Sequence, residues 1–147
     1  MSITINKNLL KSLLAGSVFL LALFFFTKPA EAANFNVSPS SGTYTVGSTF
    51  DVSVLLDTKG QSINAVDMQL SFPPDKLQLI SPSAGTSIIG VYTTPPRFDN
   101  AKGEVQIVGG IPNGINVSSG LVTKLTFRVK GIGNASLRFT GNSQALL

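Results

Sequence analysis

Six carboxylates lie downstream of residue 32: Asp51, Asp57, Asp67, Asp75, Asp99 and Glu104. A suitably spaced pair of them could protonate and attack a glycosidic bond. These six, however, fall singly on strand exteriors and in turns, where acids ordinarily keep a surface soluble. Other chemistries are more restricted still. The 147 residues contain no Cys, His or Trp, which excludes thiol nucleophiles, histidine acid–base catalysis and ordinary zinc sites. Neither Ser-x-x-Lys nor an Asp-x-Asp-x-Asp calcium loop occurs after residue 32. Gly109-Gly110 and Gly131-Ile132-Gly133 lack the strand–loop–helix setting of a phosphate cradle and read as turns. Asn36-Val37-Ser38, Asn116-Val117-Ser118 and Asn134-Ala135-Ser136 match the glycosylation acceptor, which matters only in a host that uses it. The reading is of a non-enzymatic chain that needs no cofactor or metal of its own.

The elements that position these residues begin after an export signal. Lys7 and Lys11 precede an uncharged apolar run, Ser12 to Thr27, and Ala30-Glu31-Ala32 follows it with small residues at the cleavage positions. This is the order of a secretory signal, residues 1–32. The run is shorter than the ~20 residues of a spanning helix. An uncleaved N-terminal anchor is the rival reading, and no Cys near the cut offers a lipid attachment. The mature chain would be residues 33–147. Of 11 basic and 7 acidic side chains, Lys7, Lys11, Lys28 and Glu31 lie before the cut, which leaves eight and six. No basic cluster remains, which argues against nucleic acid as a partner.

The mature segment alternates apolar and polar residues with period two. Phe50, Val52, Val54 and Leu56 form one such row, and Val66, Met68, Leu70 and Phe72 a second. Leu121, Thr123, Leu125, Phe127 and Val129 form a third, alternating with Val122, Lys124, Thr126 and Arg128; Ala135, Leu137 and Phe139 form a fourth. Phe35–Val37, Lys76–Ile80, Ile88–Tyr92 and Glu104–Val108 are shorter candidate strands. Ser41-Gly42, Lys59-Gly60, Pro73-Pro74, Lys102-Gly103 and Asn113-Gly114 punctuate them. No helical stripe is sustained, so the fold class is all-β, a sandwich or barrel. The chain stops at Gln144-Ala145-Leu146-Leu147, just as apolar residues resume. The expectation is a domain truncated at its C-terminus.

Three segments together resemble a cohesin domain, of the carbohydrate-binding-module-like superfamily. They are Tyr44–Val54, with Val46-Gly47-Ser48-Thr49-Phe50; Ile63–Leu77, with Phe72, Pro74 and Leu77 in a strand-ending turn; and Gly120–Lys130 followed by Gly133 to Phe139. The resemblance implies a jelly-roll β-sandwich of about nine strands. On that template Phe50–Leu56 is the second strand, Asn64–Phe72 the third, Leu121–Lys130 the seventh and Asn134–Thr140 the eighth. The ninth, closing the roll beside the first, would be missing here.

The resemblance also implies a function. Cohesins are non-catalytic and bind dockerin modules through one flat sheet face made by the third, fifth, sixth and eighth strands, docking proteins onto an extracellular or cell-surface scaffold linked to polysaccharide degradation. The implied partner-binding residues are Ala65, Asp67, Gln69 and Ser71; Glu104, Gln106 and Val108; and Ser136, Arg138 and Thr140. Asp67 falls where the family places a polar dockerin contact, whereas Ala65 stands where a hydrogen-bonding Asn would be expected. A dockerin would bring its own Ca²⁺. Membrane contact would require the N-terminal segment to stay uncleaved or an anchor beyond Leu147.

Two other readings remain open. One is a carbohydrate-binding module; sugar surfaces use exposed aromatic platforms, and Tyr92, Arg97 and Phe98 near Pro95-Pro96 are the candidates, with a packed turn as the plainer account of that stretch. The other is a structural spacer in a surface protein.

Overall fold

The computed structural model describes residues 32–83, 86–141 and 143–147. The export-signal reading therefore lies outside the described residues, Ala32 apart. Nine strands and no helix occur among the described residues: β1 (Asn34–Ser38), β2 (Thr49–Asp57), β3 (Ile63–Ser71), β4 (Leu77–Ser83), β5 (Val91–Asp99), β6 (Glu104–Ile115), β7 (Gly120–Val129), β8 (Arg138–Phe139) and β9 (Gln144–Leu146). They form two antiparallel sheets. One runs β1-β2-β7-β4; the other runs β5-β6-β3-β8, with β9 also on β3. The all-β sandwich is the expected one.

Period-two alternation drives the two sheets together. Val52, Val54 and Leu56 from β2 and Val66, Met68 and Leu70 from β3 are all buried, while their neighbours are not. Phe127 of β7 is completely buried, its ring centroid 5.2 Å from Phe72 in an edge-on contact and 5.8 Å from Phe50. A buried side chain of this size contributes about 1.5–3 kcal/mol in the apolar area removed from water. Thr58, just past β2, is fully buried because its polar atoms are matched. Its hydroxyl accepts from Val117 N at 3.0 Å and lies 3.0 Å from Val117 O and 3.1 Å from Asn116 Oδ1, two acceptors for its one proton.

Bulges account for most departures from the expected pattern, because each extra residue on one strand flips the phase beyond it. β2 and β7 slip between Val54 and Leu55, so Val122 and Thr123 are both buried and Leu121 is not, against the reading that put Val122 outside. β6 runs well past Val108 to Ile115: its partners go from Ala65↔Gly110 to Ile63↔Ile115, so three extra residues are accommodated on β6. Asn113 and Gly114, both at φ 67, make this turn inside the strand's span.

β5 is longer than expected and placed differently. Ile88–Gly90 are not strand, whereas Val91–Asp99 are, with Pro95 and Pro96 inside. The packed turn expected there is thus replaced by an irregular strand. Proline cannot donate to a ladder, but β5 is the sheet's outermost strand and shifts register on both sides of Thr94. The tight β5–β6 hairpin depends on Gly103 (φ 71), where a Cβ would collide with the Phe72 carbonyl oxygen.

The eighth strand is shorter than the Asn134–Thr140 span, covering only Arg138–Phe139. Residues 144–146 do form a ninth strand, but it lies on β3. β1 pairs only with β2, so its other edge has no strand among the described residues.

Candidate functional site

The outward face of the β5-β6-β3-β8/β9 sheet gathers nine of the ten expected partner-binding residues. Cross-strand register places Asp67 opposite Val108, Gln69 opposite Gln106, and Ser71 opposite Glu104. Partners in an antiparallel ladder point to the same side, and the intervening Val66, Met68, Leu70, Val105 and Ile107 are buried. β8 adds Arg138 opposite Ser71, and Thr140 follows, its N–H donating to Gln69 O at 3.0 Å. Ser136 is the exception. It is exposed, outside any strand, and lines a different cavity together with Val37, Phe50 and Lys76. The expected alternation from residue 134 fails there because Gly131–Leu137 has no partner strand.

The face also contains residues that the sequence reading did not assign to it. β5 contributes Val91 opposite Gly110, Arg97 opposite Gln106 and Asp99 opposite Glu104. β9 contributes Leu146 opposite Ala65 and Gln144 opposite Asp67. Gly110 was legible as the next outward position after Glu104, Gln106 and Val108. The β5 positions were masked by Pro95-Pro96.

Hydrogen bonds preorganise the middle of the face. Gln106 Nε2 donates to Asp67 Oδ1 at 3.1 Å, so the carboxylate is held beside the β3–β6 seam. At the border, the Ser143 hydroxyl accepts from Gln69 N at 3.0 Å and donates to Gln69 O at 2.8 Å. One side chain thus does the work of a peptide unit between β8 and β9. Arg97, Arg138 and Glu104 form no salt bridge among the described residues.

Three of the six carboxylates are held by close partners. Asp51 is held below the usual carboxylate range by the Lys124 ammonium 2.8 Å away and by the Thr126 hydroxyl at 2.7 Å. Lys59 lowers Asp57, first through its backbone N–H and then through its ammonium. Asp99 and Glu104 face each other across the hairpin, but Asp99 is lowered by the N–H groups of Lys102 and Ala101, which it caps. A general acid needs a raised pKa, and these three move the other way. No group of His, Cys, Asp or Glu among the described residues could hold a metal ion.

The sugar-platform candidates do not form one exposed platform. Tyr92 is opposite Gly109 and packs on the core; Phe98 is opposite Val105 on the same phase yet 44% exposed, and Arg97 faces outward. A cavity of about 890 Å³ lies along the β1 side of the sandwich, walled by core-edge residues such as Val37, Val52, Leu77 and Leu137. Lys76 and Tyr44 also line it, and the Lys76 ammonium donates to Ile132 O at 3.2 Å.

An antiparallel sandwich presenting one open, hydrogen-bonded sheet face has the architecture of a surface-recognition module. The sequence profile of the cohesin domain matches residues 33–145, and the chain belongs to the cohesin domain family. Solved structures share the fold. The third cohesin of ScaC from Acetivibrio cellulolyticus, in complex with a ScaB dockerin mutated in its C-terminal helix, is 19% identical with a TM-score of 0.56, over 68% of this chain and 76% of that one. CaCohA2 from Clostridium acetobutylicum is 19% identical with a TM-score of 0.61, over 76% of each chain. The Coh-OlpC–Doc435 complex, a type I cohesin–dockerin complex from Clostridium thermocellum, gives 14% identity and a TM-score of 0.63, over 82% of this chain and 90% of that one. A search of curated protein sequences returns no match.

Proposed function

We propose that this chain is a secreted, non-catalytic docking module that binds a dockerin-type partner through the outward face of the β5-β6-β3-β8/β9 sheet. Its setting would be extracellular or cell-surface assembly linked to polysaccharide degradation. The observation that carries the reading is the coincidence of cohesin family membership with a face that brings Ala65, Asp67, Gln69, Ser71, Glu104, Gln106, Val108, Arg138 and Thr140 into one register. Short polar side chains on a rigid sheet specify register through hydrogen bonds, and apolar atoms such as those of Val108 supply burial. Cohesins solved with dockerins bound share this fold, which supports the choice of partner class.

The test is calorimetric titration of the full chain with a panel of calcium-loaded dockerins, alongside retention on insoluble polysaccharide. Saturable dockerin binding without polysaccharide retention is the expected result. Retention on polysaccharide with no dockerin bound would overturn the reading in favour of a carbohydrate-binding module.

A further inference from the structure

The face has a polarity that follows from its register. Its last row, before β6 leaves register with β3, reads Val91, Gly110, Ala65, Leu146 across four strands. The row at the other end reads Asp99, Glu104, Ser71, Arg138. One end is therefore apolar and the other charged. Within the apolar row the two central residues are the smallest available, and the two outer ones are exposed aliphatics, Val91 at 57% and Leu146 at 48%. Exposed aliphatics flanking a bare floor form a trough.

The floor is open. A Cβ built on Gly110 would meet nothing nearer than the Val91 carbonyl oxygen at 3.9 Å and that of Asn64 at 4.0 Å. Three strand spacings put the walls about 14 Å apart, against ~10–12 Å for a helix with its side chains. Along the strands, the six-residue step from Ala65 to Ser71 covers ~20 Å, nearly four helical turns.

Building on the dockerin reading above, we propose that this trough is a size-selective anchor site. One branched aliphatic side chain from the partner's docking helix seats on Gly110 and Ala65 between Val91 and Leu146. The polar rows beyond it then fix the direction in which the helix lies. Where the family is expected to carry a hydrogen-bonding Asn, this chain has Ala65, and the contact there changes from polar to apolar. Partner choice is accordingly governed by the size of one partner residue at this end and by charge at the other.

The experiment uses the full chain and a calcium-loaded dockerin that binds it. Gly110→Val fills the trough at a backbone position with no left-handed requirement. It should weaken binding at least thirtyfold with little change in thermal midpoint, and the loss should persist in high salt. Glu104→Ala should cost less than tenfold and lose its effect as salt rises. Shortening the partner's anchoring aliphatic to Ala should restore part of the Gly110→Val loss. If Gly110→Val unfolds the chain, Val91→Asp and Leu146→Asp, both at exposed edge positions, take its place with the same thirtyfold expectation. Filled-trough variants that bind within threefold of the parent would overturn the anchor while leaving the docking function intact. A parent chain that binds no dockerin would overturn the docking function itself, and the anchor with it.

Discussion

The side-chain amide of Asn100 holds both backbone polar groups of Leu79: Leu79 N donates to its Oδ1 at 2.7 Å, and its Nδ2 donates to Leu79 O at 2.9 Å. Asn100 sits in the β5–β6 turn, whereas Leu79 is on β4, the outer strand of the opposite sheet. β4 shifts register just after Leu79, between it and Ser81. The amide therefore satisfies peptide groups at an irregular point and fastens one sheet's edge to the other sheet's hairpin.

Replacing Asn100 with Ala leaves two partly buried backbone groups without partners. The expected loss is about 2–4 kcal/mol, since each unmet group costs ~1–3 kcal/mol and water recovers part of it. Asn100→Asp keeps the acceptor and should fall between Ala and the parent. Urea denaturation of the three proteins measures the order.

The β5–β6 hairpin makes a sharper demand at Gly103. An alanine there must hold a left-handed φ and also displace the Phe72 carbonyl, which accepts no such approach. Gly103→Ala should destabilise by at least about 2 kcal/mol. An unchanged urea midpoint would show that the turn can rearrange at no cost.

Acid should weaken the fold in a defined window. Asp51, Asp57 and Asp99 all have folded pKa values below their ordinary 3.8. The unfolded chain thus takes up protons first, and the stability these groups contribute is fully present above that ordinary value. It declines as pH falls through 3.8 and on through the lower folded values. Denaturation midpoints between pH 7 and pH 2 should drop only at the acid end, and Asp99→Asn should flatten part of that drop.

Asp67 is the polar counterpart of the apolar trough. It is half-buried at the seam and held by Gln106, so its geometry is set before a partner arrives. Asp67→Ala should weaken docking by about 1–3 kcal/mol and leave the thermal midpoint nearly unchanged. Equal affinity for both proteins would remove Asp67 from the interface.

How much of this was legible in the sequence depended on whether a residue's role was local. Val52, Val54, Leu56, Val66, Met68 and Leu70 alternate without interruption, and their burial follows from period alone. The outward phase of each strand followed from the same period, which is why Asp67, Gln69 and Ser71 of β3 and Glu104, Gln106 and Val108 of β6 were expected on one side, where the register puts them. Val122 was misplaced because it is itself the extra residue that β7 carries against β2, which shows only when the two strands are paired. Pro95-Pro96 carried a turn signal that an outer strand can absorb. Asn100 and Ser143 carried no signal, since each replaces a peptide partner supplied by chain far away in sequence.

The border of the five-stranded sheet beside β3 is built from two short ladders, Leu70–Ser71 with β8 and Ala65–Asp67 with β9, spliced by the Ser143 hydroxyl on Gln69. The splice is a side chain, so it joins the two ladders where the backbone pairing itself breaks. The two halves of that rim are held to β3 by separate ladders, so a substitution at the Leu146 end need not move the Arg138 end.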